Sequence, residues 1–416
     1  MNLLLAKKLR RLVEWYGLTA EQAGAALRKR YPGASGLSDA SCRRVAAING
    51  WVRAGRLKSQ AEVELFVAEA VDQLGDEYGQ TMVKGHLEAM GVVVSRRRVA
   101  KALTQVDPRG VAYRSSETRQ RVNPGRYHCT EFNENMHMDQ NEKITEFGAT
   151  SIVAVDGLAR YISAWGVFAS KTNEGIYNHV YREAVCRYGF PTQLILDHGT
   201  EFNLVAHMQS RLRDKWKPGL TRVPVRRVQS VKNNRIEGVW PYLNRRVHYP
   251  IKRAMLALIH CYGLDRYDAT HNFAVGVVTR MLAKRGYEVF VPAWNHHRMR
   301  HWGKVSASLQ FNNATIPSDC EVPTTSLAVS SYARSRGNAR FEGFAPDRSS
   351  APDPLRNNPA AQHRRNRDVL AFLESRGGID KVFRAVTKAN YNLCHALVIQ
   401  LVSRTNVLAR QRKGRP

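Results

Sequence analysis

Two hydrophobic periods divide this chain. As far as Val106 apolar residues recur every three or four positions, the helical period. Residues 1–57 therefore read as helices. "LTAEQAGAALRKRYPG" has Thr19 as its N-cap and stops at Pro32 and Gly33; "LSDASCRRVAAINGWVRAG" gives a second short helix ending near Gly55. A helix, a Gly-containing turn and a basic helix make a helix-turn-helix outline. Residues 58–107 repeat it. Val63, Phe66, Val67 and Val71 share one helical face, as do Met82, Val83, Leu87 and Met90. "SRRRVAKALTQV" then starts at a Ser95 cap, with Val99, Ala102, Leu103 and Val106 inward and Arg96, Arg97, Arg98 and Lys101 towards its start. Basic residues there are placed for phosphate and groove contacts on DNA; a small bundle with a solvated basic face is the plainer alternative.

Residues 108–134 are polar, basic and aperiodic, and read as a linker. From Asn135 the period changes to that of strands. "NMHMDQN" alternates, "GATSIVAVDGLARYISAWGVFAS" reads as two strands joined at "DGLAR", and "TQLILD" and "TRVPVRRVQ" supply a fourth and a fifth. Helices fall between the later strands, in "TNEGIYNHVYREAVCRYG" and "EFNLVAHMQSRLRDKW", and beyond them in "VKNNRIEGVWPYLNRRVHYPIKRAMLAL". Three strands followed by alternating helix and strand give an α/β domain over residues 135–312, a mixed five-stranded sheet flanked by helices. Residues 313–367 turn to Ser, Arg, Asn, Pro and Gly, a composition too poor in apolar side chains to order itself, and read as a disordered basic linker. Residues 368–416 recover helical periodicity and end in a basic tail.

Charge narrows the function. The 416 residues carry 64 Lys and Arg against 35 Asp and Glu, a net charge of +29. Such a field favours a polyanionic partner, and nucleic acid is the commonest. No apolar run approaches the eighteen or so residues that cross a bilayer, so no membrane role is expected. The opening "MNLLLAKKLRRLVEWYGL" is charged too early for a secretory signal and reads as an amphipathic helix. The six cysteines are scattered without a CxxC pair, which indicates reduced thiols inside a cell.

Against this basic background three acids in the α/β domain stand out. Asp139 lies inside the first strand, Asp197 ends "LILD", and Glu237 is the only acid between Asp214 and Asp265. Half-buried carboxylates are costly unless paired or metal-bound, and three together repel one another. Two Mg²⁺ ions, with Mn²⁺ as a substitute, would resolve that repulsion and support phosphodiester displacement by water or a DNA 3′-hydroxyl. Asp156, before Gly157 between two strands, reads as a turn former, and Gly199 as a place where a phosphate could approach the backbone. Asn233, Asn234 and Arg235 admit two readings, phosphate contact or helix capping beside a solvated arginine; Lys232 heads the same helix and is the first candidate for a DNA contact.

"HMDQ", "DHGTEF" and "NNRIEGVW", in this order on this strand pattern, resemble the D,D,E motifs of the retroviral-integrase superfamily, closest to integrase-like proteins of eukaryotic transposable elements. Thirty-nine residues separate Asp197 from Glu237, slightly more than the retroviral spacing. "YGQTMVKGHLEAMGVVVSRRRVAKALTQVDPRGVAYR" resembles the helical domain before that core, and "GYEVFVPAWNHHRMRHWG" the segment closing it. The resemblance implies an RNase H-like core with Asp139, Asp197 and Glu237 as Mg²⁺ ligands for strand cutting and joining. It also implies double-stranded DNA as partner, both element ends and target, a homo-oligomer holding two ends, and a nuclear site of action. The zinc-binding His/His/Cys/Cys module of retroviral integrases is absent, and no SH3-like tail is visible, so end recognition and target choice are the departures. Two other functions stay open: a non-catalytic DNA-binding protein derived from an integrase, and a metal-dependent RNase H-like nuclease that cuts without joining.

Overall fold

A computed structural model describes residues 3–14, 18–51, 59–75, 77–116, 127–216, 219–229, 233–299, 303–304, 322–337 and 351–413. The chain divides into two compact units, residues 1–123 with 291–313 and residues 124–290 with 314–416.

The first unit is helical. Its opening helices are α1 (Leu3–Glu14), α2 (Ala20–Arg30) and α3 (Asp39–Ile48). Thr19 and Gln22 form a reciprocal capping box at α2, and Ser38 caps α3. Leu5, Leu9, Leu12, Leu27, Leu37 and Cys42 fill the small core between them. Next come α4 (Gln60–Leu74), α5 (Gln80–Ala89) and α6 (Arg96–Val106). They bury Val63 and Val67, Met82, Val83 and Leu87, and Val99, Ala102 and Leu103, the faces read from the sequence, except that Met90, at the end of α5, is 51% exposed. Helix α7 (Pro108–Ser116) corrects the reading of 108–134 as an unbroken linker. The Asp107 carboxylate accepts from the Gly110 N–H at 3.0 Å, and Pro108 occupies the first helical position, where its missing donor costs nothing.

The second unit is built on a five-stranded sheet of β1 (Asn135–Asn141), β2 (Thr150–Asp156), β3 (Ile162–Phe168), β4 (Gln193–Leu196) and β5 (Val225–Arg227). The order is β3-β2-β1-β4-β5, so β1 is central. Its pairing with β2 is antiparallel and with β4 parallel. Alternation splits β1 between two faces. Met136 and Met138 enter a core with Ile176, Tyr177, Val180, Leu204 and Met208. Asn135, His137, Asp139 and Asn141 occupy the other face and are buried too. Over the Met face lie α8 (Asn173–Ile176), which continues through a π turn (Tyr177–Tyr181) into α9 (Arg182–Tyr188), and α10 (Asn203–Trp216). Over the polar face the chain runs through α11 (Asn234–Glu237), α12 (Trp240–Leu243), a second π turn (Asn244–His248) and α13 (Tyr249–His260). Helix α14 (Ala269–His296) follows.

The composition of 313–367 misleads at two places. Helix α15 (Thr325–Ser335) forms inside it, with Val322 and Ala328 in the sheet core. Its polar residues are used rather than solvated: Ser331 Oγ accepts from Arg211 at 2.7 Å and lies 3.0 Å from His207 Nε2, and Pro323 O accepts from the Tyr177 hydroxyl at 2.7 Å. Helix α16 (Pro359–Ser375) starts nine residues earlier than expected, where Asn358 caps it and Pro359 opens it. Helices α17 (Gly378–Thr387) and α18 (Asn392–Lys413) complete the end of the unit. No helix among the described residues is long and apolar enough to cross a membrane.

Candidate active site

Asp139 sits mid-strand on β1 and is only 4% exposed. One carboxylate oxygen accepts from Trp240 Nε1 at 2.9 Å, the other from the Gln140 backbone N–H at 2.8 Å. Burial pushes its carboxyl up to about 7; the two hydrogen bonds oppose this, and the charges of Asp197 and Glu237 push it further up. The charges of Asp197 and Glu237 thus reach Asp139, although 57 and 39 residues of chain intervene between successive members.

Each acid arrives by a different device. Asp197 follows the end of β4, and its Oδ1 accepts from the Gly199 N–H at 2.9 Å, closing a tight turn. Arg227 on β5 holds that turn from beneath, donating to the carbonyls of Asp197 and Gly199 at 3.0 Å each and to Asn203 Oδ1 at 2.6 Å. Glu237 ends the single-turn α11, its N–H bonded to Asn233 O at 3.2 Å. Both Asp197 and Glu237 are half-buried.

The donor set fits a hard divalent cation in kind. It offers carboxylate oxygens only, and each Asp139 oxygen keeps a lone pair beyond the one it has committed. The raised Asp139 marks negative charge that a cation would neutralise. Among the described residues, however, no three or more His, Cys, Asp or Glu side chains are grouped so as to hold a metal ion as they stand.

Other residues read from the sequence fall as follows. Asp156 is a turn former: 2% exposed, it accepts from the Asn133 and Ala159 N–H groups at 2.7 Å each. Burial pushes it up to about 6 against those bonds. At Gly199 the place of the missing Cβ is taken by the Glu201 carboxylate, 2.5 Å away. His198 is exposed. Asn233 is wholly buried and does not cap its helix. Its side chain turns to β1 instead, 2.5 Å from His137 Nδ1 and donating to Met138 O at 3.2 Å. The guanidinium of Arg235 is not simply solvated, since it stacks 3.9 Å from the centre of the Tyr127 ring. At the start of α6, Arg96, Arg97 and Lys101 are exposed, whereas Arg98 is half-buried and donates to Gln60 on α4 at 3.3 Å. Lys232 lies outside the described residues.

The sequence reading missed Trp240 as the donor to Asp139, and it missed the role of His137. That histidine is 1% exposed, burial pushes it down to about 4, and its Nε2 lies 2.9 Å from the Tyr127 hydroxyl. The signal was present as Asn-x-His-x-Asp-x-Asn, polar residues at every second position of a strand that is buried on both faces.

No curated protein and no solved structure matched the chain. Residues 126–322 match the family model of the integrase core domain, a span that holds the whole sheet and all three acids. Residues 126–322 therefore form an integrase core domain of RNase H-like fold.

Proposed function

We propose that the protein is a DNA integrase or transposase that trims DNA 3′ ends and joins them to target DNA by phosphodiester transesterification. The observation that carries this is the integrase core domain of residues 126–322, whose central strand buries Asp139 and whose span also holds Asp197 and Glu237. Asp139, Asp197 and Glu237 would hold Mg²⁺, or Mn²⁺ in its place, as two ions. Such a pair activates water or a 3′-hydroxyl and stabilises the leaving oxygen. The chain's own part is to aim the acids. Trp240 fixes one oxygen of Asp139, Gln140 N–H the other, and Arg227 holds the turn of Asp197.

DNA is the partner that the charge of +29 favours. Exposed Arg96, Arg97 and Lys101 are the residues of α6 set to contact it. Holding two ends together calls for more than one copy of the chain, and the reaction belongs where chromosomal DNA is, the nucleus if the host is eukaryotic.

The experiment is a cutting and joining assay on labelled duplex ends with Mg²⁺ or Mn²⁺, comparing wild type with Asp139→Asn, Asp197→Asn and Glu237→Gln. Joined products that each substitution abolishes, with DNA binding kept, support the proposal. Shortened products without joining make the protein a nuclease. A second reading, a non-catalytic DNA-binding descendant of an integrase, draws on the lack of a metal-holding group of acids among the described residues. Binding without cutting or joining under either metal would establish it.

A further inference from the structure

The polar face of β1 meets the chain segment 233–248 in strict order. His137 pairs with Asn233, Asp139 with Trp240 at 2.9 Å, and Asn141 with Asn244 at 2.9 Å. Every second residue of the strand thus takes a partner from a segment that advances one helical turn or two between contacts. Glu237 lies between the first two of these partners.

Helix α11, which carries Glu237, has four residues. One turn of helix cannot hold itself in place, since its few hydrogen bonds do not offset the entropy of ordering them. It must be anchored from outside. Asn233 occupies the N-cap position, where an asparagine side chain ordinarily accepts from the N–H groups of the first turn. Here it makes no such bond. Its amide spans to β1, while its main-chain carbonyl accepts from the Glu237 N–H at 3.2 Å. The side chain grips the strand of Asp139 and the main chain grips the residue of Glu237.

A single direction of donation runs through the grip. Asn135 Nδ2 donates to the Tyr127 hydroxyl at 3.0 Å, and that hydroxyl donates to His137 Nε2 at 2.9 Å. His137 is then protonated at Nδ1 and donates to Asn233 Oδ1 at 2.5 Å; Asn233 Nδ2 donates to Met138 O at 3.2 Å. No donor faces a donor, so the orientation of the Asn233 amide is dictated from Asn135 onward. The face of the Tyr127 ring also carries the Arg235 guanidinium, from the same turn as Glu237.

We propose that Asn233, oriented by His137, is the positioning residue that sets Glu237 against Asp139 for divalent-metal binding. This rests on the reading of the three acids as metal ligands. Partners that orient metal ligands from behind typically change metal affinity by about 10- to 100-fold when removed.

The test uses the full chain and Mn²⁺ alone, with binding read by calorimetry and the thermal midpoint measured in chelator. Asn233→Ala weakens Mn²⁺ binding by about tenfold or more. His137→Phe keeps a ring against Tyr127, removes the Nδ1 donor and shifts affinity the same way; it decides the matter if Asn233→Ala does not fold. Asn244→Ala breaks the neighbouring bond of the same face, lowers the thermal midpoint and leaves Mn²⁺ affinity unchanged. Folded Asn233→Ala and His137→Phe proteins with wild-type Mn²⁺ affinity overturn the proposal, as does an equal loss in Asn244→Ala. If Glu237→Gln weakens binding and the positioning variants do not, only this inference falls. If wild type binds no Mn²⁺ that Glu237→Gln can weaken, the metal-site reading falls with it.

Discussion

Asp139→Asn should make the metal-free protein more stable while destroying its chemistry. The wild-type carboxyl is 4% exposed, held by Trp240 and Gln140, and raised from the ordinary 3.8 to about 7 by burial, with Asp197 and Glu237 adding repulsion. A rise of that size corresponds to about 4 kcal/mol of destabilisation once the group is ionised. Asparagine removes the charge but points an amide hydrogen at one of the two donors Asp139 now serves, which costs about 1–3 kcal/mol. The expected net gain is about 2 kcal/mol above pH 8, or a thermal midpoint higher by about 4–8 °C. The folded-state carboxyl titrates above its unfolded value, so this group's contribution to wild-type stability is fully present below about pH 4 and is lost as pH rises towards 7. The gap between variant and wild type should therefore be small or reversed at pH 4, open between pH 4 and 7, and stay constant above. Thermal melts in chelator across this range are the assay. Added Mg²⁺ should raise the midpoint of wild type and not of the variant. A variant less stable than wild type at pH 8 in chelator, or a gap that ignores pH, would refute the reasoning.

Three further outcomes follow from other contacts. Trp240→Phe keeps the ring but removes the donor to Asp139 Oδ2; losing a hydrogen bond to a charged group costs about 1.5–3 kcal/mol, so the acid limb of the pH–rate profile moves upward and cutting at pH 7 falls by about tenfold or more. Arg365 pairs with both oxygens of Asp353 at 2.6 and 2.9 Å and lies over the Phe273 ring at 4.8 Å. Arg365→Met should cost about 3–5 kcal/mol and loosen hydrogen-exchange protection in α16 first. Burial raises Asp353, but the Arg365 bond and charge outweigh it and leave it below its ordinary value, so the pair's contribution is present above the ordinary carboxylate range and lost as pH falls through the folded value; chelator melts at decreasing pH read this directly. Replacing exposed Arg96 or Arg97 by Ala should weaken DNA binding without changing sequence preference and lower the slope of log affinity against log salt by about 1 each, measured by fluorescence anisotropy.

Much of this protein is written locally. The caps at Thr19 and Ser95, the paired faces of α4 to α6, and the five strands in order all follow from hydrophobic period and cap chemistry, which act within a few residues. The three candidate acids stand out for a different reason: Asp139 interrupts and Asp197 ends an apolar strand, and Glu237 is the only acid between Asp214 and Asp265. What composition missed were segments ordered by single contacts. Asp107 and Pro108 start α7 within a basic stretch, and α15 is held by Ser331 and Pro323, which no average over residue types reveals. Nor could the sequence say what Asn233 does. Locally it is a helix cap; in the fold its side chain reaches a strand 95 residues earlier. Hydrophobic period and capping depend on neighbours along the chain, so the sequence determines the elements and the order of the acids. Which buried polar atom meets which depends on the register of β1 against segment 233–248, and that register exists only once both have packed.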